Sequence, residues 1–154
     1  QVALRAQNGC VPGPDDAAQL LRGMRTLHLR VRESCESAQW LAEQLQENPH
    51  VAEVLYPGLP SFTGHEVAKR QMHNGFGGML SVRLKGGAEQ AIKTAARTRL
   101  WKRATSLGGV ESLIEHRASI EGEGTPVPDD LLRLSVGIEY REDLLRDLEQ
   151  AFQP

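Results

Sequence analysis

Between Ala17 and Leu45 apolar residues return at intervals of three, four or one: Ala17, Leu20, Leu21, Met24, Leu27, Val31, Cys35, Ala38, Leu41, Ala42 and Leu45. That spacing lines one face of an α-helix and fits no strand, where side chains alternate. No helix crosses Cys10-Val11-Pro12-Gly13-Pro14 just before it. The expected helix therefore runs from an N-cap at Asp15 to Glu47, weakened but not ended by Gly23 and stopped by Asn48-Pro49. A helix this long with one apolar face must lay it on another layer.

The rest of the chain supplies that layer. Val51–Tyr56 is β-prone and is stopped by Pro57-Gly58. His65–Met72 reads as a short helix, and Asn74–Gly78 has too much glycine for a helix interior. Met79–Leu84 alternates like a strand, and Ala88–Ala96 reads as a short helix. A strand is expected at Leu100–Ala104, a loop at Ser106–Gly109, and a helical turn at Val110–His116. Glu121–Asp130 is a loop, Leu131–Gly137 a strand, and Glu142 and Asp143 open a final helix carrying Leu144, Leu145, Leu148 and Phe152. The expected fold is α/β, in the α+β sense: a small mixed or mainly antiparallel sheet of three to four strands, with helices on one face. Strands and helices do not alternate strictly, which disfavours a doubly wound dinucleotide fold.

At 154 residues the chain has room for one domain. Its 18 basic and 20 acidic residues leave a net charge of −2, without the basic field that nucleic acid or an acidic membrane demands. Aromatic residues are 5%, too sparse for base-stacking platforms. No run is long and apolar enough to span a bilayer, and the N-terminus has neither an initiator Met nor a signal peptide. These features point to a processed chain or a fragment. Cys10 and Cys35 form no disulfide framework or metal spacing, and are expected as free thiols in the cytoplasm.

Arg133 is the most suggestive single residue. It shares a strand face with Leu131 and Ser135, while Leu132 and Leu134 point the other way. A guanidinium there suits a carboxylate ligand, because its fork offers two parallel hydrogen bonds. The plainer alternative is a solvent-facing arginine or an internal ion pair. Ser106-Leu107-Gly108-Gly109 sets a hydroxyl and two glycines ahead of the expected helical turn, where backbone N–H groups could hold an anion; otherwise it is a connecting turn. The five histidines show no ligand spacing, so no metal site is expected. Glu111 and Glu115, four apart, read as a solvated helical face. No nucleophile elbow is present. The residues suggest a carboxylate binder without a catalytic engine.

Five collinear blocks then carry a resemblance: LLRGMRTLHL from Leu20, VLYPG from Val54, GFGGMLS from Gly75, SLGGVESLIE from Ser106 and LLRLSVGIE from Leu131. In order and spacing the chain resembles the C-terminal part of the cystathionine gamma-synthase/gamma-lyase family, the pyridoxal-phosphate (PLP) enzymes of cysteine and methionine metabolism. The resemblance implies that Arg133 holds the substrate's α-carboxylate. It implies that Ser106 belongs to the active-site loop near that carboxylate. It also implies that the Schiff-base lysine and the cofactor's other ligands lie upstream, since Lys69, Lys85, Lys93 and Lys102 fall in no matching motif. Where relatives often carry Glu before the loop serine, this chain has Thr105, which implies weaker preference for a substrate with a distal ammonium. Where many relatives continue with Pro-Ala-x-Met-Thr-His, this chain has His116-Arg117-Ala118-Ser119-Ile120-Glu121.

The resemblance divides the chain into an N-terminal connecting segment, 1–14, and a C-terminal small domain, 15–154, whose larger PLP-binding domain is absent. It implies a parent enzyme for elimination or replacement on cystathionine, homocysteine-type or activated homoserine substrates. That parent is expected to be a cytoplasmic homo-oligomer, with a small sulfur-containing or homoserine-derived amino acid as its ligand. The isolated chain is expected to be inactive, without a catalytic residue of its own, and Arg133 is expected to project away from local ion pairs. The rival reading is a stand-alone amino-acid-binding regulatory or interaction module.

Overall fold

The computed structural model describes residues 2–9 and 11–153, so the Cys10 expectation lies outside the described residues. Three helices come first: α1 (Val2–Gln7), α2 (Pro14–Met24) and α3 (Leu27–Gln46). The single helix expected from Asp15 to Glu47 is therefore two. The break falls at Arg25-Thr26 rather than at Gly23, which sits inside α2. Arg30, one turn into α3, reaches back across the break: its Nη2 donates to the Gly23 carbonyl at 2.7 Å, and its Nε to the Thr26 hydroxyl oxygen at 3.3 Å. A guanidinium that satisfies a last-turn carbonyl of one helix from the start of the next stabilises a corner. The N-cap of α2 is Gly13, not Asp15. Pro14 takes the first helical position, and the Asp16 carboxylate accepts the Gly13 N–H at 3.2 Å.

The sheet has five strands, one more than expected: β1 (Val51–Leu55), β2 (Met79–Leu84), β3 (Lys102–Arg103), β4 (Leu113–His116) and β5 (Leu131–Ser135). The remaining helices are α4 (His65–Gln71), α5 (Gly87–Arg97), α6 (Arg117–Glu121) and α7 (Arg141–Phe152). In space the strand order is β1-β2-β5-β4-β3, antiparallel except for the parallel β3–β4 edge. The helical turn expected at Val110–His116 is strand β4. Leu113–His116 is made a strand by its antiparallel pairing with β5, with Ile114 opposite Leu134. The strand expected at Leu100–Ala104 shrinks to two residues, because the preceding segment is bent into a tight turn.

α3 and α5 pack on one face of the sheet, and α7 packs against both of them. Leu80, Val82, Leu84, Ile114, Leu132 and Leu134 are buried there against Leu41, Leu45, Leu144, Leu148 and Phe152. The apolar stripe of the N-terminal helices reaches this core only from Cys35 onward. Leu20, Leu21, Met24, Leu27 and Val31 are exposed, and α1 and α2 bury no residue.

α7 fixes the route into β3. Asp147 is buried, and its carboxylate accepts three consecutive backbone N–H groups, from Arg99, Leu100 and Trp101, at 2.7–3.1 Å. Trp101 is buried beside it and donates its indole N–H to the Leu144 carbonyl at 3.0 Å. The chain therefore leaves this turn toward Thr105 and Ser106 along a set path.

Candidate functional site

The sheet's other face carries the polar groups. Register places Glu115 of β4 directly opposite Arg133 of β5, and Arg133 opposite Ser81 of β2. Arg133 Nη1 donates to Glu115 Oε1 at 2.6 Å. The Thr105 hydroxyl, just past β3, donates to Glu115 Oε2 at 2.6 Å. Arg117 Nη1, at the start of α6, adds a bond to Oε1 at 3.2 Å and also pairs with Glu121. The Glu115 side chain is 4% exposed and that of Arg133 is 22% exposed. Burial alone would raise the Glu115 carboxyl. Hydrogen bonds from Thr105 and Arg133, the Arg133 charge and the Arg117 hydrogen bond outweigh that, holding it below its ordinary value of 4.5.

Two expectations are corrected here. Glu115 is no solvated helical residue but the buried centre of a charged cluster. Arg133 does not stand clear of local ion pairs, since Glu115 holds it. That hold is at one tip only. A second arginine on the same face, Arg83, shows what a filled fork looks like. Its Nε and Nη2 both bond Asp130, at 2.9 and 3.1 Å, and its Nη1 bonds Glu53 at 3.4 Å. Among the described residues Arg133 has no partner beyond Glu115, so its Nη2 and Nε edge is open.

The Ser106–Gly109 loop leads into no helix, so the helix N-terminus expected there to hold an anion does not exist. The loop is instead tied to the segment after β5. Ser112 is buried; its N–H and hydroxyl donate to the two carboxylate oxygens of Glu139, both at 2.8 Å, and its hydroxyl oxygen accepts the Gly137 N–H at 2.9 Å. Only glycine fits at 137, where a Cβ would lie 2.2 Å from the Val110 carbonyl oxygen. Gly108 N–H reaches the Ser135 hydroxyl at 3.3 Å. Ser106 stands exposed, and its hydroxyl makes no hydrogen bond among the described residues. The structure thus joins Thr105 and Arg133 through Glu115, and joins Ser106 to neither.

Glu115, Ser112, Glu139 and Asp147 were all missed by sequence reasoning. For Glu115 a signal existed: a lone carboxylate inside an apolar Leu-Ile-Glu stretch and a lone arginine inside Leu-Leu-Arg-Leu are complementary if both segments are strands.

A model of the Cys/Met metabolism PLP-dependent enzymes matches residues 1–153. The chain belongs to that family. Cystathionine gamma-synthase of Mycobacterium tuberculosis is 56% identical over 148 residues, 93% of this chain and 38% of the relative. Cystathionine beta-lyase of Coxiella burnetii is 45% identical over 151 residues, 93% of this chain and 39% of the relative. The crystal structure of metB from Corynebacterium glutamicum superposes with a TM-score of 0.88 at 47% identity, covering 97% of this chain and 40% of that one. The chain therefore spans about two fifths of the length of these members of the PLP-dependent family.

The residues present do not fit the covalent side of that family's cofactor. An amine that forms a Schiff base must shed its proton, which burial promotes. All four lysines are exposed: Lys69 and Lys93 pair with Glu66 and Glu89, Lys85 donates to the Pro49 carbonyl, and Lys102 lies on the β3 edge. Among the described residues no three His, Cys, Asp or Glu side chains stand together as a metal site, and no helix is long and apolar enough to cross a membrane.

Proposed function

We propose that this chain is the C-terminal, substrate-holding portion of a PLP-dependent enzyme that eliminates or replaces a group on a sulfur-bearing or activated homoserine amino acid. Arg133 clamps the substrate's α-carboxylate. The observation that carries this reading is the open fork. On one sheet face Arg83 is saturated by two carboxylates, while Arg133 keeps the two-N–H edge that a planar carboxylate matches. The family membership and the collinear LLRLSVGIE block support it.

In this reading residues 1–14 connect to the rest of the parent, and 15–154 form its small domain. PLP is held by residues outside the chain. Arg133 contributes positioning: a clamped carboxylate fixes which bond at the substrate's α-carbon faces the reacting centre. Ser106, exposed on the loop, is available to the same carboxylate. The parent works as a homo-oligomer in the cytoplasm, and the isolated chain is inactive.

The test is Arg133→Ala in the full-length protein that carries this chain. Truncating one partner of a desolvated charge pair costs about 2–5 kcal/mol, so kcat/KM for the amino-acid substrate should fall roughly thirty-fold to several thousand-fold. An unchanged kcat/KM would overturn the clamp.

A further inference from the structure

The reading of Arg133 as a clamp leaves open what aims it. An arginine side chain has many rotamers, and a clamp must surrender them to bind unless the fold has already chosen one. The cluster around Glu115 does choose. Its carboxylate is held by donors from three places: Thr105 beyond β3 on Oε2, and Arg133 of β5 and Arg117 of α6 on Oε1. With both oxygens occupied and the side chain buried, the carboxylate has no freedom to rotate. It grips Arg133 at Nη1 alone, the position from which the opposite edge of the guanidinium remains usable. Arg117 draws on the same oxygen, so Glu115 is shared between two cations and leaves part of the Arg133 charge uncompensated. A purely structural pair has the other geometry, seen a few residues away at Arg83 and Asp130, where both prongs are filled.

We infer that Glu115 is the positioning residue for Arg133, setting the plane and exposed edge with which it meets a substrate carboxylate. Thr105 in turn locks Glu115. This inference rests on the clamp proposed above, and its test separates the two.

The experiment compares, in the full-length protein, an amino-acid substrate with its own α-carboxamide, which lacks the charge that Arg133 meets. Glu115→Ala should raise KM for the free acid roughly tenfold, with kcat little changed and KM for the amide unmoved. Glu115→Gln keeps an oxygen able to accept from Nη1 and should stay within about threefold of the parent protein. If Glu115→Ala fails to fold, Glu115→Asp, which withdraws both oxygens by one methylene, carries the same comparison. A KM increase that is equal for acid and amide would overturn the inference, as would no increase for either. Arg133→Ala is the control for the reading beneath it. If that variant does not separate acid from amide, the clamp fails. If it separates them while the Glu115 variants do not, the clamp stands and the positioning role falls.

Discussion

Glu115 gathers more of the site than any other single side chain, and its protonation should register in stability. Its pKa is depressed in the folded state, so its contribution is complete above the ordinary glutamate value and is lost as pH falls through the lowered one. Unfolding free energy should decline below about pH 4.5. Glu115→Gln should flatten part of that decline in denaturant titrations run from pH 6 to pH 3; an unaltered slope would show that the cluster does not report through Glu115. Thr105 has a different consequence. The missing charge at position 105 was expected to weaken recognition of a distal ammonium, yet the hydroxyl is engaged with a carboxylate the sequence reading had placed in solvent. Thr105→Val keeps the shape and deletes a hydrogen bond to a charged acceptor, which should cost about 1.5 kcal/mol by urea denaturation. Thr105→Glu would set two carboxylates against each other and should destabilise more than Thr105→Val.

Among the elements, the turn before β3 depends on a residue far along the chain. Asp147→Ala would leave three N–H groups, that of buried Trp101 among them, without their acceptor, at a cost of about 3 kcal/mol. Amide exchange at Arg99, Leu100 and Trp101 should accelerate well beyond that of β2. If exchange rises equally everywhere, Asp147 serves global stability rather than this turn. The same turn explains which elements were legible beforehand. β2 announces itself through alternation in Met79–Leu84, and β5 through a short apolar run in Leu131–Ser135 bounded by the loop before it and Gly137 after it. β3 lies inside the expected strand Leu100–Ala104, but its length was not legible: Asp147, far along the chain, holds Arg99–Trp101 in a turn and leaves only Lys102-Arg103 to pair with β4. β4 was misread because four residues, Leu113–His116, are too few to tell a helical turn from a strand. The break between α2 and α3 was hidden because apolar spacing continues across it, and the Arg30 contacts that make the corner are tertiary. Arg133 was legible because its strand was; its partner was not, because seeing the pair requires the β4–β5 register.

For the whole molecule, the exposed stripe is the feature with a measurable outcome. Leu20, Leu21 and Met24 on α2, which buries nothing, and Leu27 and Val31 at the start of α3 form exposed apolar surface. Contiguous apolar surface of this kind favours association. The 154-residue chain should therefore self-associate in sedimentation, and replacing Leu20, Leu21 and Met24 with serine should shift it toward monomer. Deleting residues 1–24 removes α1 and α2, which bury nothing, and should change the unfolding free energy by less than about 0.5 kcal/mol. A larger loss would mean that these helices pack on the core in solution.

The sheet order carries a consequence for how such a chain comes into being. β5 is the last strand to be synthesised and the one at the centre, flanked by β2 on one side and β4 on the other. Until it emerges, the pair β1–β2 and the pair β3–β4 have no strand in common. Each waits with an open edge, and the row Glu115–Arg133–Ser81 has no middle member. Contacts so distant in sequence are made late and together, since loop closure is paid before they reward it. Thr105 and Arg117 can meet Glu115 before then, but Arg133 cannot. The strand that brings Arg133 is the same strand that closes the sheet, so the arrival of the carboxylate-binding group and the completion of the fold are one event.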